Sequence, residues 1–183
     1  MAIRPVRIYG DPVLRTRAKE VAQFDDSLRQ LVLDMEETMR AYNGVGLAAN
    51  QVGVTQRVLI VDVPVTEDTH ERHVLVNPVL SERSGQEDGE EGCLSIPGIY
   101  EDVKRALEVR VRGFDEHGTP VDFVAQGYLA RAIQHEVDHV DGVLFVDRLS
   151  PLKRTFLKRS LESLARGELP EDYPPHAARG GLV

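Results

Sequence analysis

The chain has a single cysteine among its 183 residues. That excludes an internal disulfide and leaves Cys93 spare, structural or chemical. No apolar run approaches the roughly 18 residues of a membrane span. The first residues, Met1-Ala2-Ile3-Arg4-Pro5, lack the hydrophobic region of a signal peptide. A cytoplasmic location is the resulting expectation. Acidic residues outnumber basic ones, 30 to 22. A formal net charge of -8 argues against free DNA as a partner, while leaving room for a local basic patch. The 42% hydrophobic and 28% charged residues suit a soluble chain long enough for one real core.

The pattern along the chain is α+β. Asp25, Asp26 and Ser27 offer N-caps, and Leu28, Leu31, Val32, Met35 and Met39 follow at helical spacing up to Asn43-Gly44. Residues 45–53 are small, Gly-rich and predicted to lack regular structure. Residues 58–61 and 74–76 read as strands joined by a polar hairpin loop over 64–72. Residues 84–91 are acidic, contain two glycines, and are expected to form a loop leading to Cys93. Residues 107–112 alternate cleanly, with a hairpin partner at 121–124. Helices are expected over 127–141, stopped by Gly142, and over 152–166. One domain is expected over 1–167. Residues 168–183, with three prolines and a Gly-Gly near the end, are expected to be a disordered tail.

Gln134-His135-Glu136-Val137-Asp138-His139 is the stretch richest in chemistry. On a helix, His135 and His139 lie one turn apart on one face and can reach one metal ion, with Glu136 beside them to handle a proton. A charged amphipathic helix with solvated histidines has the same pattern. Cys93 follows a glycine in a polar segment rather than an apolar strand, which suits a thiolate completing the ligand set. Three protein ligands and one open position describe a catalytic site, since a structural one fills all four. Asp138 and Asp141 are candidate partners for the ligating histidines, or plain helix-surface charge. His70, His73, His117 and His176 fall in loop-like or tail contexts and are expected to be solvated. In residues 44–53 the glycines lack the Lys-Ser/Thr of a phosphate loop and follow a helix rather than a strand. They suit a close backbone approach to a substrate, with Gln51 offering a carboxamide.

Three motifs, Gly-x-Gly-x-Ala-Ala-x-Gln at 44–51, Glu-Gly-Cys-Leu-Ser at 91–95 and Gln-His-Glu-x-Asp-His at 134–139, stand complete and in order. In this the chain resembles the peptide deformylases, from about Ile8 through Leu149. With 41 residues between Gln51 and Cys93, it resembles their compact bacterial class. The resemblance implies antiparallel sheets packed around a central metal-binding helix, with an N-terminal and a C-terminal helix. It implies an Fe²⁺ ion on Cys93, His135 and His139, replaceable by zinc, nickel or cobalt. The implied reaction is hydrolysis of the formyl group from formylmethionyl peptides, releasing formate. Glu136 would carry the proton, and Gln51 and the backbone N–H of Leu94 would stabilise the oxyanion. Val45, Tyr128 and Arg131 would help enclose the methionine side chain, beside Ala132, and Gly46 would meet the substrate backbone. For Tyr128 core packing, and for Arg131 a surface charge, remain open. The alternative is a metalloprotease or other amidase on the same helix, needing a downstream third ligand for which Asp147 is the near candidate. A non-catalytic metal module would not need Glu136 and Gln51. Residues 152–166 carry a net +4; the resemblance implies that this helix is a docking element that would suit the ribosome, while a solvated helix whose charges only aid solubility has the same pattern. Leu157, Leu161 and Leu164 would hold its other face to the body.

Overall fold

Asp25 caps the first helix by accepting a hydrogen bond from the Leu28 amide at 3.0 Å, and α1 runs from Asp26 to Ala41. The computed structural model describes residues 2–171 and Tyr173. Leu28, Leu31, Val32, Met35 and Met39 all point inward, as their spacing predicts.

They pack on a five-stranded antiparallel sheet of order β1-β2-β3-β6-β7: β1 Gly46–Ala48, β2 Val58–Pro64, β3 His70–Ser84, β6 Glu108–Phe114 and β7 Pro120–Gln126. Val58 and Ile60 face α1, whereas Leu59 and Val61 face the opposite layer. That two-sided burial explains why β2 reads as a continuous apolar run rather than an alternating one. The opposite layer is α2, Gly127–Val140, whose Leu129, Ala130, Ile133, Val137 and Val140 close the second core. Gly142 ends it at φ 76°, where a β-carbon would lie 2.6 Å from the Arg15 carbonyl oxygen.

A separate two-stranded sheet, β4 Glu87–Cys93 with β5 Ile96–Arg105, brings Cys93 to the metal helix. The acidic loop expected over residues 84–91 is thus largely strand. Its inward positions, Gly89 and Glu91, meet guanidinium groups rather than an apolar core, so no hydrophobic alternation announces the strand. Residues 45–53 are also more regular than expected. They form β1 and a 3-10 turn at Ala49–Val52, ended by Gly53 at φ 81°. The loop expected over 64–72 shrinks to 65–69, because His70 and Arg72 continue the β2–β3 ladder opposite Pro64 and Asp62.

Ser150 caps α3, Pro151–Ala165, which rests Leu161 and Leu164, with Leu157 partly buried, on a third core holding Leu14, Cys93, Ile96 and Phe145. Of residues 168–183, those at 168–171 and Tyr173 are described. Tyr173 donates from its hydroxyl to the Leu94 carbonyl at 3.1 Å. Residues 172 and 174–183, His176 among them, lie outside the described residues. Among the described residues no helix is long and apolar enough to cross a membrane.

Candidate metal centre and active site

The helical period of α2 sets His135 and His139 with their Nε2 atoms 3.2 Å apart. Cys93, at the end of β4, brings its Sγ to 3.2 Å from His139 Nε2. All three side chains are buried, and their donor atoms lie within 4.8 Å of one another. Burial and then the neighbouring Glu136 carboxylate push the Cys93 thiol up, so its thiolate needs a cation. Burial, and then His135, push His139 well below the usual imidazole value, which keeps it neutral and able to ligate. Among the described residues, His139 Nδ1 and both Glu136 oxygens have no hydrogen-bond partner. Two imidazoles and a thiol converging in a buried site fit a divalent transition metal with a coordination position left open.

Glu136 sits against β1. A β-carbon on Gly46 would fall 2.5 Å from Glu136 Oε1, so only glycine lets the carboxylate lie there. Burial, then the charge of Glu91, raises the Glu136 pKa well above the ordinary carboxylate range. Gln51, on the Ala49–Val52 turn, accepts from the Ala48 amide through Oε1 at 2.9 Å. That bond turns its NH₂ inward, 3.5 Å from Cys93 Sγ and 3.2 Å from Ser95 Oγ. Leu94 is buried directly after Cys93, with its side chain against Gly44. Val45 is buried in the core that seats α2, and Gly46 lies on the edge strand β1. Tyr128 stands in the first turn of α2, 38% exposed.

The histidine partner is not the acid expected. Glu91 accepts from His135 Nδ1 at 2.7 Å, which leaves Nε2 as the ligand atom. Burial works to raise the Glu91 pKa, but hydrogen bonds from Arg105 and His135 bring it down to about 2. Its place in the Glu-Gly-Cys motif, two residues before the thiol, was the available sign. Asp138 acts one step further out, accepting from Arg105 at 2.6 Å and Arg148 at 2.7 Å, and Asp141 pairs with Arg57 at 2.7 Å. Arg131 is not a surface charge. It is 5% exposed, and its guanidinium lies under the β4–β5 hairpin. Asp147, the third ligand a protease reading would need, instead caps the Leu144 amide and pairs with Arg15. His73 is half-buried, stacked on Phe123 at 4.4 Å between centroids.

The family model for polypeptide deformylase matches residues 3–155. The chain belongs to that family. It is 51% identical over 166 residues to a peptide deformylase of Alkalilimnicola ehrlichii, covering 91% of this chain and 93% of that one. It is 47% identical over 182 residues to one of Acidothermus cellulolyticus, covering 98% of both. The crystal structure of the peptide deformylase from Thermus thermophilus superposes with a TM-score of 0.84 at 42% identity, over 90% of this chain and 99% of that chain. The deformylase fold is therefore the α+β fold described above. The chain is a hydrolase that removes the N-formyl group from newly made polypeptides.

Proposed function

We propose that this deformylase works through a divalent ion held by Cys93, His135 and His139, with Glu136 as its proton carrier. The observation that carries this reading is the unpartnered Glu136 carboxylate, held against Gly46 beside three convergent donors. An ion bound there supplies Lewis acidity that brings the pKa of water toward neutrality. Glu136 takes the proton of the attacking water, and its raised pKa suits it to hold that proton until the amine departs. The Gln51 NH₂ and the Leu94 N–H donate to the oxygen that becomes negative, one such donor contributing about 2.7–4 kcal/mol in the transition state. Formate and a free amino terminus leave.

The peptide chain has a natural seat. Among the described residues the edge strand β1 pairs with β2 alone, so an extended formylmethionyl peptide could lie along its other edge at Gly46. In this reading Val45 and Tyr128 would wall the pocket for the first side chain. Arg131 is withdrawn under the hairpin and can touch that pocket only through its stem. Iron is the metal this reading favours, with zinc, nickel or cobalt as substitutes, since a thiolate and two imidazoles accept all of them. Metal analysis of anaerobically purified protein tests the iron assignment. Formate release from a formyl-Met peptide, set against cleavage of an unformylated peptide, tests the reaction.

The setting we propose is the cytoplasm, with the ribosome as a docking partner of α3. Arg154 and Arg159 stand on that helix, Phe156 is 77% exposed and Leu152 65% exposed. An apolar pair flanked by cations suits a surface of RNA and protein. Truncation after Pro151 should reduce salt-sensitive co-sedimentation with ribosomes. No association of the full chain at low salt would end that part of the reading.

A further inference from the structure

The two histidines share a helix, but Cys93 arrives on a separate hairpin, so something must fix the hairpin's distance from the helix. Arg131 stands one turn before His135 on α2. Its Nη1 donates to Glu91 Oε2 at 2.8 Å, to the Val103 carbonyl at 2.7 Å and to the Gly89 carbonyl at 3.2 Å. Its Nη2 donates to the Glu87 carbonyl at 2.8 Å. A buried guanidinium is costly to desolvate unless its donors find acceptors, and here backbone from both hairpin strands supplies them.

Glu91 closes the circuit. Its Oε2 takes Arg131, its Oε1 takes His135 Nδ1 at 2.7 Å, and Arg105 holds both oxygens at 2.8 Å. Cys93 follows two residues later on the same strand. Arg105 makes a second crossing to the helix at Asp138, on the far side of His135. Among the described residues, however, only Arg131 grips the hairpin backbone on both strands. Gly89 is what admits it: a β-carbon there would lie 2.9 Å from the Arg131 Cζ and 3.0 Å from its Nε.

We propose that Arg131 is a positioning residue for the metal centre, setting the thiolate-to-histidine geometry through Glu91 and the hairpin, and that Gly89 is coupled to it. The proposal rests on the ligand assignment above. Groups that orient metal ligands typically cost about 10- to 100-fold in metal affinity when removed.

The test uses the full chain loaded with Zn²⁺ and follows release of zinc to excess chromogenic chelator. Arg131→Met and Gly89→Ala should each release zinc about 10- to 100-fold faster. Because both remove one clasp, the double variant should be no faster than Arg131→Met alone. Arg131→Lys, which keeps the charge without the fork, should fall between. A merely structural Arg131 would lower Tm and leave the release rate unchanged. Release within twofold of the parent in Gly89→Ala, or fully multiplicative effects in the double variant, overturns the proposal. If Arg131→Met does not fold, Gly89→Ala decides, since it displaces the guanidinium while replacing no other side chain. Absence of formate release by the parent protein would sink the hydrolase reading and leave the zinc result standing. Unaltered zinc binding in Cys93→Ser would sink the proposal with the ligand set.

Discussion

Gly46 and Glu136 touch so closely that a single β-carbon cannot come between them: placed on Gly46, it would lie 2.5 Å from Glu136 Oε1 and 2.9 Å from Glu136 Cγ. The edge strand that would receive the substrate chain and the carboxylate that would carry the proton are therefore one built unit. Gly46→Ala should push the carboxylate aside. Metal content should stay at the parent level while kcat falls about 100-fold or more, the scale of a misplaced general base. An alanine variant with parent kcat would mean that Glu136 does not act from this position.

Cys93→Ser replaces a buried thiolate by a hydroxyl that does not ionise. Metal affinity should fall by more than about 100-fold, beyond the loss expected for a group that only supports a ligand. Equilibrium competition with a chelator measures it. Unchanged stoichiometry and affinity would place the third ligand elsewhere.

The N-terminal segment is tied down by Asp34 on α1, which accepts from the Ala2 amide at 3.1 Å, from Arg4 at 2.9 and 3.0 Å, and from Gln30 at 2.8 Å. Burial works to raise this carboxylate, yet those donors hold it below its usual value of 3.8. A carboxylate with a depressed folded-state pKa stabilises the fold above its unfolded value and loses that contribution as pH falls through the folded one. Asp34→Asn should cost about 1–2 kcal/mol near neutrality. The gap between parent and variant should close below about pH 4. Urea unfolding at several pH values checks this. A gap that persists undiminished in acid would show that the charge is not what holds the segment.

How much of this is legible in the sequence depends on the range of the interaction. His135, Glu136 and His139 could be read because helical periodicity is local, and α1 because Asp25 and its apolar stripe are local too. Leu59 and Val61 could be read as strand, but not assigned a layer. The strand β4 is not legible in the sequence because Gly89 and Glu91 answer to Arg131 and Arg105, which lie 42 and 14 residues further along the chain. The expected partners Asp138 and Asp141 gave way to Glu91 for the same reason. Helix geometry puts Asp138 near the right face, but only the fold shows that Arg105 and Arg148 occupy it. Helical periodicity puts Arg131 one turn before His135, but nothing local indicates that its long side chain turns under the hairpin.

The most direct measurement is formate release from a formyl-Met peptide by Glu136→Ala, with metal content determined on the same sample. The carboxylate is read as a proton carrier that binds no metal. The variant should therefore retain parent metal stoichiometry while losing at least about 100-fold in kcat. Loss of metal together with activity would make Glu136 a ligand, and parent-level formate release would remove it from the reaction; either result contradicts the account.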